Sequence, residues 1–163
     1  MQGMRPNFLK GVILAWISSM AVDFFLNGGL FASYFRSGDS FIVSQSEAFI
    51  RIPLGYTSLL LPILVLAYLI EKGSASTING GVKMSLAYAF AITSSSVLGL
   101  WSIAVAPVSF LLIWFVDQIF ELSIAGAVLS MGKVTPSKHI ARYVAIWVVA
   151  LLAGGVVLQN LLG

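Results

Sequence analysis

Asp23, Asp117 and Glu121 stand inside long apolar runs of the sequence. A charged side chain near the centre of a bilayer costs about 2.5 to 3.5 kcal/mol on insertion scales, so acids placed there call for a chemical reason. Asp117 and Glu121 are four residues apart and share a helix face, as do Asp23 and Asn27. At a rise of 1.5 Å per residue, Asp23 falls roughly 18 Å from the inner end of its helix and Asp117 roughly 15 Å from the outer end of its own. Both pairs therefore sit near mid-membrane depth, where they can face each other. No lysine or arginine is expected at that level. Each acid must then be protonated, hydrogen-bonded, hydrated or bound to a cation. The chemistry this pattern suits is proton or cation handling, at a ligand or ion site built from Asp23, Asn27, Asp117 and Glu121. Ser94 and Ser95, from the run Thr93-Ser94-Ser95-Ser96, are secondary members of the same polar layer, and Gln118 lies at a similar depth.

The same residues admit two other roles. Protonated acids and serines can hold helices together by hydrogen bonds, within the chain or towards a basic residue of another membrane subunit. Alternatively, Asp117 and Glu121 could act as acid and base on a lipid-like substrate entering from the side. No catalytic residue is assigned on that basis. The spacing Val22-Asp23 to Asn27 parallels Val116-Asp117 to Glu121 in a helix of opposite direction, a faint inverted-repeat pattern.

Other chemistry finds little support. The single histidine, His139, adjoins Lys138 at the inner boundary and has no second histidine for a haem or metal pair. Asn79-Gly80-Gly81 reads as a turn rather than a phosphate cradle. Gly154-Gly155 suits close helix packing. There is no cysteine, which removes disulfides, thiolate metal sites and thiol redox chemistry. No cofactor and no metal site is expected.

The elements that must position these residues are helices in lipid. Of 163 residues, 59% are hydrophobic and 9% charged, and the mean hydropathy is +0.99. So little polar surface cannot cover a water-soluble domain of this size. The fold expected is an all-α integral membrane protein, one domain over 1–163, with about five transmembrane helices at 11–32, 53–70, 83–103, 107–131 and 140–159. Residues 1–10 are basic, as a secretory leader would be, but the run from Gly11 to Phe35 is too long for a signal core and carries Asp23 and Asn27. It is read as a retained first helix. Five crossings in this length resemble the tryptophan-rich translocator proteins, but the four separated tryptophans do not reproduce that family's aromatic motifs, and nothing is carried over from it.

The third and fourth crossings form the uncharged stretch from Leu86 to Val116, broken at Ala104–Pro107. A tight hairpin there, with Pro107 as the first helical residue, is expected because the residue before a proline disfavours helix. Charge supports it. Arg5, Lys10, Lys72, Lys83, Lys133, Lys138 and Arg142 then share one side, against Arg36 and Arg51 on the other. The bias places the N-terminus in the cytoplasm and the C-terminus outside. Tyr34, Tyr56 and Trp101 fall near the outer boundary, and Tyr68, Tyr88, Tyr143 and Trp147 near the inner one. Ser44-Gln-Ser-Glu47 is a capping-box pattern for a short helix leading to Pro53, with Pro62 interrupting the second crossing. Phe41-Ile42-Val43 and Ala48-Phe49-Ile50 suggest a segment lying along the membrane surface, or equally a plain ordered loop. Thr135-Pro136 reads as N-cap and first residue of the fifth crossing.

The function expected is a small transporter, channel or carrier-like protein of the bacterial inner (plasma) membrane. It would bind a proton, a small cation or a small amphipathic ligand at the acidic layer. The alternative is a non-catalytic subunit or assembly factor of a larger membrane complex. The lipid bilayer is the main partner, a homo-oligomer or another membrane subunit fits as well, and the scattered basic residues give no nucleic-acid surface.

Overall fold

The computed structural model describes residues 8–36, 43–73 and 77–162. All regular structure among them is helical: α1 (Phe8–Asp23), a π-helical segment (Phe24–Leu30), α2 (Ala32–Arg36), α3 (Gln45–Lys72), α4 (Ile78–Ile103), α5 (Val108–Val134) and α6 (Ser137–Leu162). Five stretches are long and apolar enough to cross a membrane: Phe8–Leu30, Ser46–Lys72, Ile78–Ile103, Val108–Val134 and Lys138–Leu162. Large apolar side chains such as Leu54, Leu61, Phe90, Leu112 and Val149 point outward. An exterior of this kind suits lipid and fits a multi-pass membrane protein.

Successive long helices run in opposite directions. α5 is central, touching α1, α3, α4 and α6, and α1 lies between α5 and α6. The ends of α3 and α5 meet where Lys133 Nζ donates to the Ile70 carbonyl. The apolar core fills the half of the bundle nearest that end, with Val12, Ala15, Ile63, Leu66, Ile70, Ala89, Leu122 and Ala125 buried.

Glycine sets how closely two pairs of helices approach. A Cβ on Gly81 would lie 1.6 Å from Ser130 Oγ, and one on Gly126 would lie 2.3 Å from Ser85 Cβ. The α4–α5 hairpin is thus closed by two reciprocal glycine–serine contacts. Both hydroxyls bond back to their own helix, Ser85 Oγ to the Gly81 carbonyl at 2.9 Å and Ser130 Oγ to the Gly126 carbonyl at 2.7 Å. They therefore pack as small, satisfied groups. A Cβ on Gly29 would come within 2.9 Å of the Gly155 Cα, so the π-helical segment rests on α6 backbone to backbone.

Several boundaries differ from the expectations, each for a local reason. The first crossing is not a uniform α-helix: the Phe31 N–H donates to the Leu26 carbonyl at 2.7 Å, an i→i+5 bond, in the stretch containing Gly28-Gly29. Ser44 caps α3 by accepting from the Glu47 N–H at 3.4 Å, but the helix it starts is the second crossing itself. α3 runs unbroken through Pro53 and Pro62. Tyr56 consequently lies about 16 Å inside its helix rather than at its boundary. Ala48-Phe49-Ile50 belongs to the first turns of α3, and Phe41 and Ile42 lie outside the described residues, as does Arg5. Asn79-Gly80-Gly81 is the first turn of α4, capped by Thr77, which accepts from the Gly80 N–H at 3.1 Å. The α4–α5 hairpin falls at Ala104–Pro107, with Pro107 at the N-cap rather than the first helical position. Thr135 ends α5, and the Pro136 carbonyl accepts the first bonds of α6.

Candidate functional site

Above the apolar core, α1 and α5 bring their acids together. One carboxylate oxygen from each of Asp23, Asp117 and Glu121 lies within 4.8 Å of the others. Asn27 joins the helices: its Nδ2 donates to Asp23 Oδ1 at 2.8 Å and to Asp117 Oδ2 at 2.8 Å. Two carboxyls thus share the two hydrogens of one amide. The π-helical segment presents that amide, since Asn27 lies inside it and the spacing from Asp23 no longer follows an ordinary α-helical turn. On α5, Gln118 Nε2 donates to Glu121 Oε2 at 2.7 Å, and Ser19 Oγ of α1 donates to the Glu121 carbonyl at 3.1 Å. The Tyr56 side chain of α3 hydrogen-bonds Asp23, while Trp16 Nε1 donates to the Tyr56 carbonyl at 2.7 Å and fixes α3 against α1.

Asp117 and Glu121 are 2% and 1% exposed. Even so, Asp117 Oδ1, Glu121 Oε1 and Asn27 Oδ1 have no hydrogen-bond partner. Buried oxygens in this condition are rare in folded proteins and expect a proton, a water or an ion. Two carboxylates within 4.8 Å of each other repel by about 4 kcal/mol at an effective dielectric of about 20. The triad therefore favours states in which a proton or a cation offsets the charge. Its donor set is oxygen only, which suits hard cations rather than thiolate- or imidazole-seeking metals.

A cavity of about 940 Å³ has Asp23, Asn27 and Asp117 in its wall and reaches Phe35, Ser44 and Ala48, at the end of the bundle carrying α2 and the start of α3. Among the described residues its lining holds no lysine or arginine. Ser58 also borders it; Pro62 has no N–H to offer the Ser58 carbonyl, which leaves an acceptor within α3. A smaller cavity of about 160 Å³ lies on the other side of Trp114 and Gln118, which border both, and is lined by Pro62, Thr93 and Ser96.

The structure therefore brings Asp23, Asn27, Asp117 and Glu121 into one cluster. It does not bring Ser94 and Ser95 there. Ser95 is exposed and Ser94 half-buried, while Thr93 turns inward at 3% exposure with an unpaired hydroxyl. The period of four in Gly81, Ser85, Ala89 and Thr93, all buried, marks the α4 face that meets α5 and selects Thr93 from its run. Trp114 and Phe110 were also outside the expected set, yet they precede Asp117 by three and seven residues and share its face. Tyr56 escaped because its helix starts earlier than expected.

Comparison with protein-family models, with curated proteins and with solved structures returned no match to this chain.

Proposed function

We propose that this chain is a small membrane carrier or ligand-binding protein. Its Asp23–Asp117–Glu121 cluster exchanges protons or a hard cation, linked to occupancy of the adjoining cavity. The observation that carries the reading is the coincidence of three clustered carboxyls, unpartnered buried oxygens and an accessible cavity whose described lining has no basic residue. Helix glue alone needs no cavity and would satisfy its own oxygens. The basic bias at the opposite end of the bundle supports a cytoplasmic N-terminus, so the cavity opens outward, and the bacterial inner membrane fits that arrangement.

Infrared difference spectroscopy on purified protein, stepped through pH with and without sodium, tests the proposal. The expected result is a carboxyl band that changes with pH or sodium and is lost in one or more of Asp23→Asn, Asp117→Asn and Glu121→Gln, the variants still eluting as folded protein. Carboxyls that stay protonated throughout, insensitive to sodium, would leave only the gluing role.

A further inference from the structure

The cavity is much larger than a bare ion and its wall is unusual for an inorganic-ion site. Five aromatic residues border it, Phe24, Phe35, Tyr56, Phe110 and Trp114, while the carboxyls of Asp23 and Asp117 lie in the same wall. Phe35 and Phe110 meet edge to face at 6.3 Å, and Phe110 and Trp114 lie 6.1 Å apart at 33°. They form a continuous aromatic flank along one side. Asp117, which borders the cavity, is 2% exposed, and its Oδ1 has no protein partner.

Aromatic faces attract cations and accept apolar bodies, and carboxylates select positive charge. A neutral or anionic guest would leave the acids without a counter-charge. An inorganic cation would be held by the acids alone and leave the aromatic flank and most of about 940 Å³ unused. Volumes of this order suit drug-sized molecules.

From these contacts we infer that the cavity binds a monovalent organic cation with an apolar or aromatic body, its charge at Asp23 and Asp117 and its body against the Phe35–Phe110–Trp114 flank. This rests on the proposed function and names its ligand class. The guest and a proton, or a hard cation, compete for the same carboxyl oxygens, so binding of one monocation displaces up to one proton. Among the described residues, the titratable groups facing Asp117 are Asp23 of α1, Tyr56 of α3 and Glu121 of α5 itself. Where α6 and α4 approach, they present the uncharged Gln159 and Thr93. Glu121 is absent from the cavity lining and reaches it through Gln118. It supports the site through Gln118 rather than as a direct ligand.

The test is equilibrium binding of tetraphenylphosphonium to the purified full chain in detergent, alongside tetraphenylborate, which has the same shape and opposite charge. Saturable binding of the phosphonium alone is expected, tightening as pH rises and weakened at least tenfold by Asp117→Asn. Phe110→Ala should weaken it severalfold while the variant still elutes as folded protein, which guards against a misfolded acid variant. Equal binding of both ions, or phosphonium binding indifferent to Asp117 and Phe110, would overturn the inference. If the phosphonium fails to bind while the carboxyls still respond to sodium or pH, the ligand class is wrong and the acid site stands. If neither responds, both readings fall.

Discussion

The Asn27 side chain links the first crossing to α5 at the acidic cluster. Its amide is the only group that contacts both Asp23 and Asp117 in the described hydrogen-bond network. Charge-assisted hydrogen bonds are worth about 1.5 to 3 kcal/mol each in water-soluble proteins, but contacts between membrane helices average nearer 0.6 kcal/mol. Replacing Asn27 by Ala should therefore cost about 1 kcal/mol overall. The sign of its pH dependence follows from which form needs the donor. Ionised carboxylates lose more than protonated ones when the amide goes, so the loss of thermal stability should be larger at pH 8 than at pH 5. Paired unfolding curves of wild type and variant at the two pH values give the answer, and an equal loss at both would mean that the bridge does not sense charge. The adjacency of Asp23, Asn27, Asp117 and Glu121 was legible because acids within apolar runs are rare and their depths could be counted. The choice among Thr93, Ser94 and Ser95 was not read from composition, since three adjacent hydroxyls look alike until the buried face of α4 is known.

Between elements, glycine spacing decides the architecture. In α4 and α5 the pairs Gly81–Ser85 and Gly126–Ser130 repeat the same four-residue interval and interlock across an antiparallel contact. A methyl at Gly126 meets Ser85 Cβ, which is fixed to the backbone and cannot turn aside. Gly126→Ala should destabilise by about 2 kcal/mol, the usual range for an overfilled contact. Adding Ser85→Gly removes the obstructing Cβ and should return much of that loss, whereas Gly99→Ala, which faces open space, should be neutral or slightly stabilising. The fraction of each variant remaining monodisperse after heating in detergent measures all three, and failure of the double variant to improve on the single one would show that the clash is not local. Gly80-Gly81 resembled a turn because glycine marks turns and close packing alike. The π-helical segment was equally hidden: Asp23-Phe-Phe-Leu-Asn27-Gly-Gly carries no propensity signal that separates an i→i+5 from an i→i+4 ladder. Gly29 lies against the Gly155 backbone, which explains why glycine stands at that position.

At the scale of the whole molecule, span number and the hairpin at Ala104–Pro107 followed from hydropathy and charge. The second span starts several residues before Pro53 and runs through Pro62, since a helix in lipid tolerates proline more readily than a soluble one. On the proposed function, the direction in which the bundle sits in the membrane would set which compartment loads the cavity, and the chain is well suited to measuring it because it contains no cysteine. Val105 lies in the α4–α5 connection at the cavity end, and Lys138 at the exposed start of α6 at the other. With a cytoplasmic N-terminus, a membrane-impermeant maleimide applied to intact bacterial cells should label Val105→Cys and spare Lys138→Cys, and both should react once the membrane is opened. The reverse pattern would invert the bundle, turning the acid-walled cavity to the cytoplasm and making its guest an intracellular one. Labelling of both sites in intact cells would contradict placement of the two connections on opposite sides. Because the basic excess lies at one end and the cavity at the other, labelling at residue 105 alone is the outcome that joins the orientation to the direction of loading.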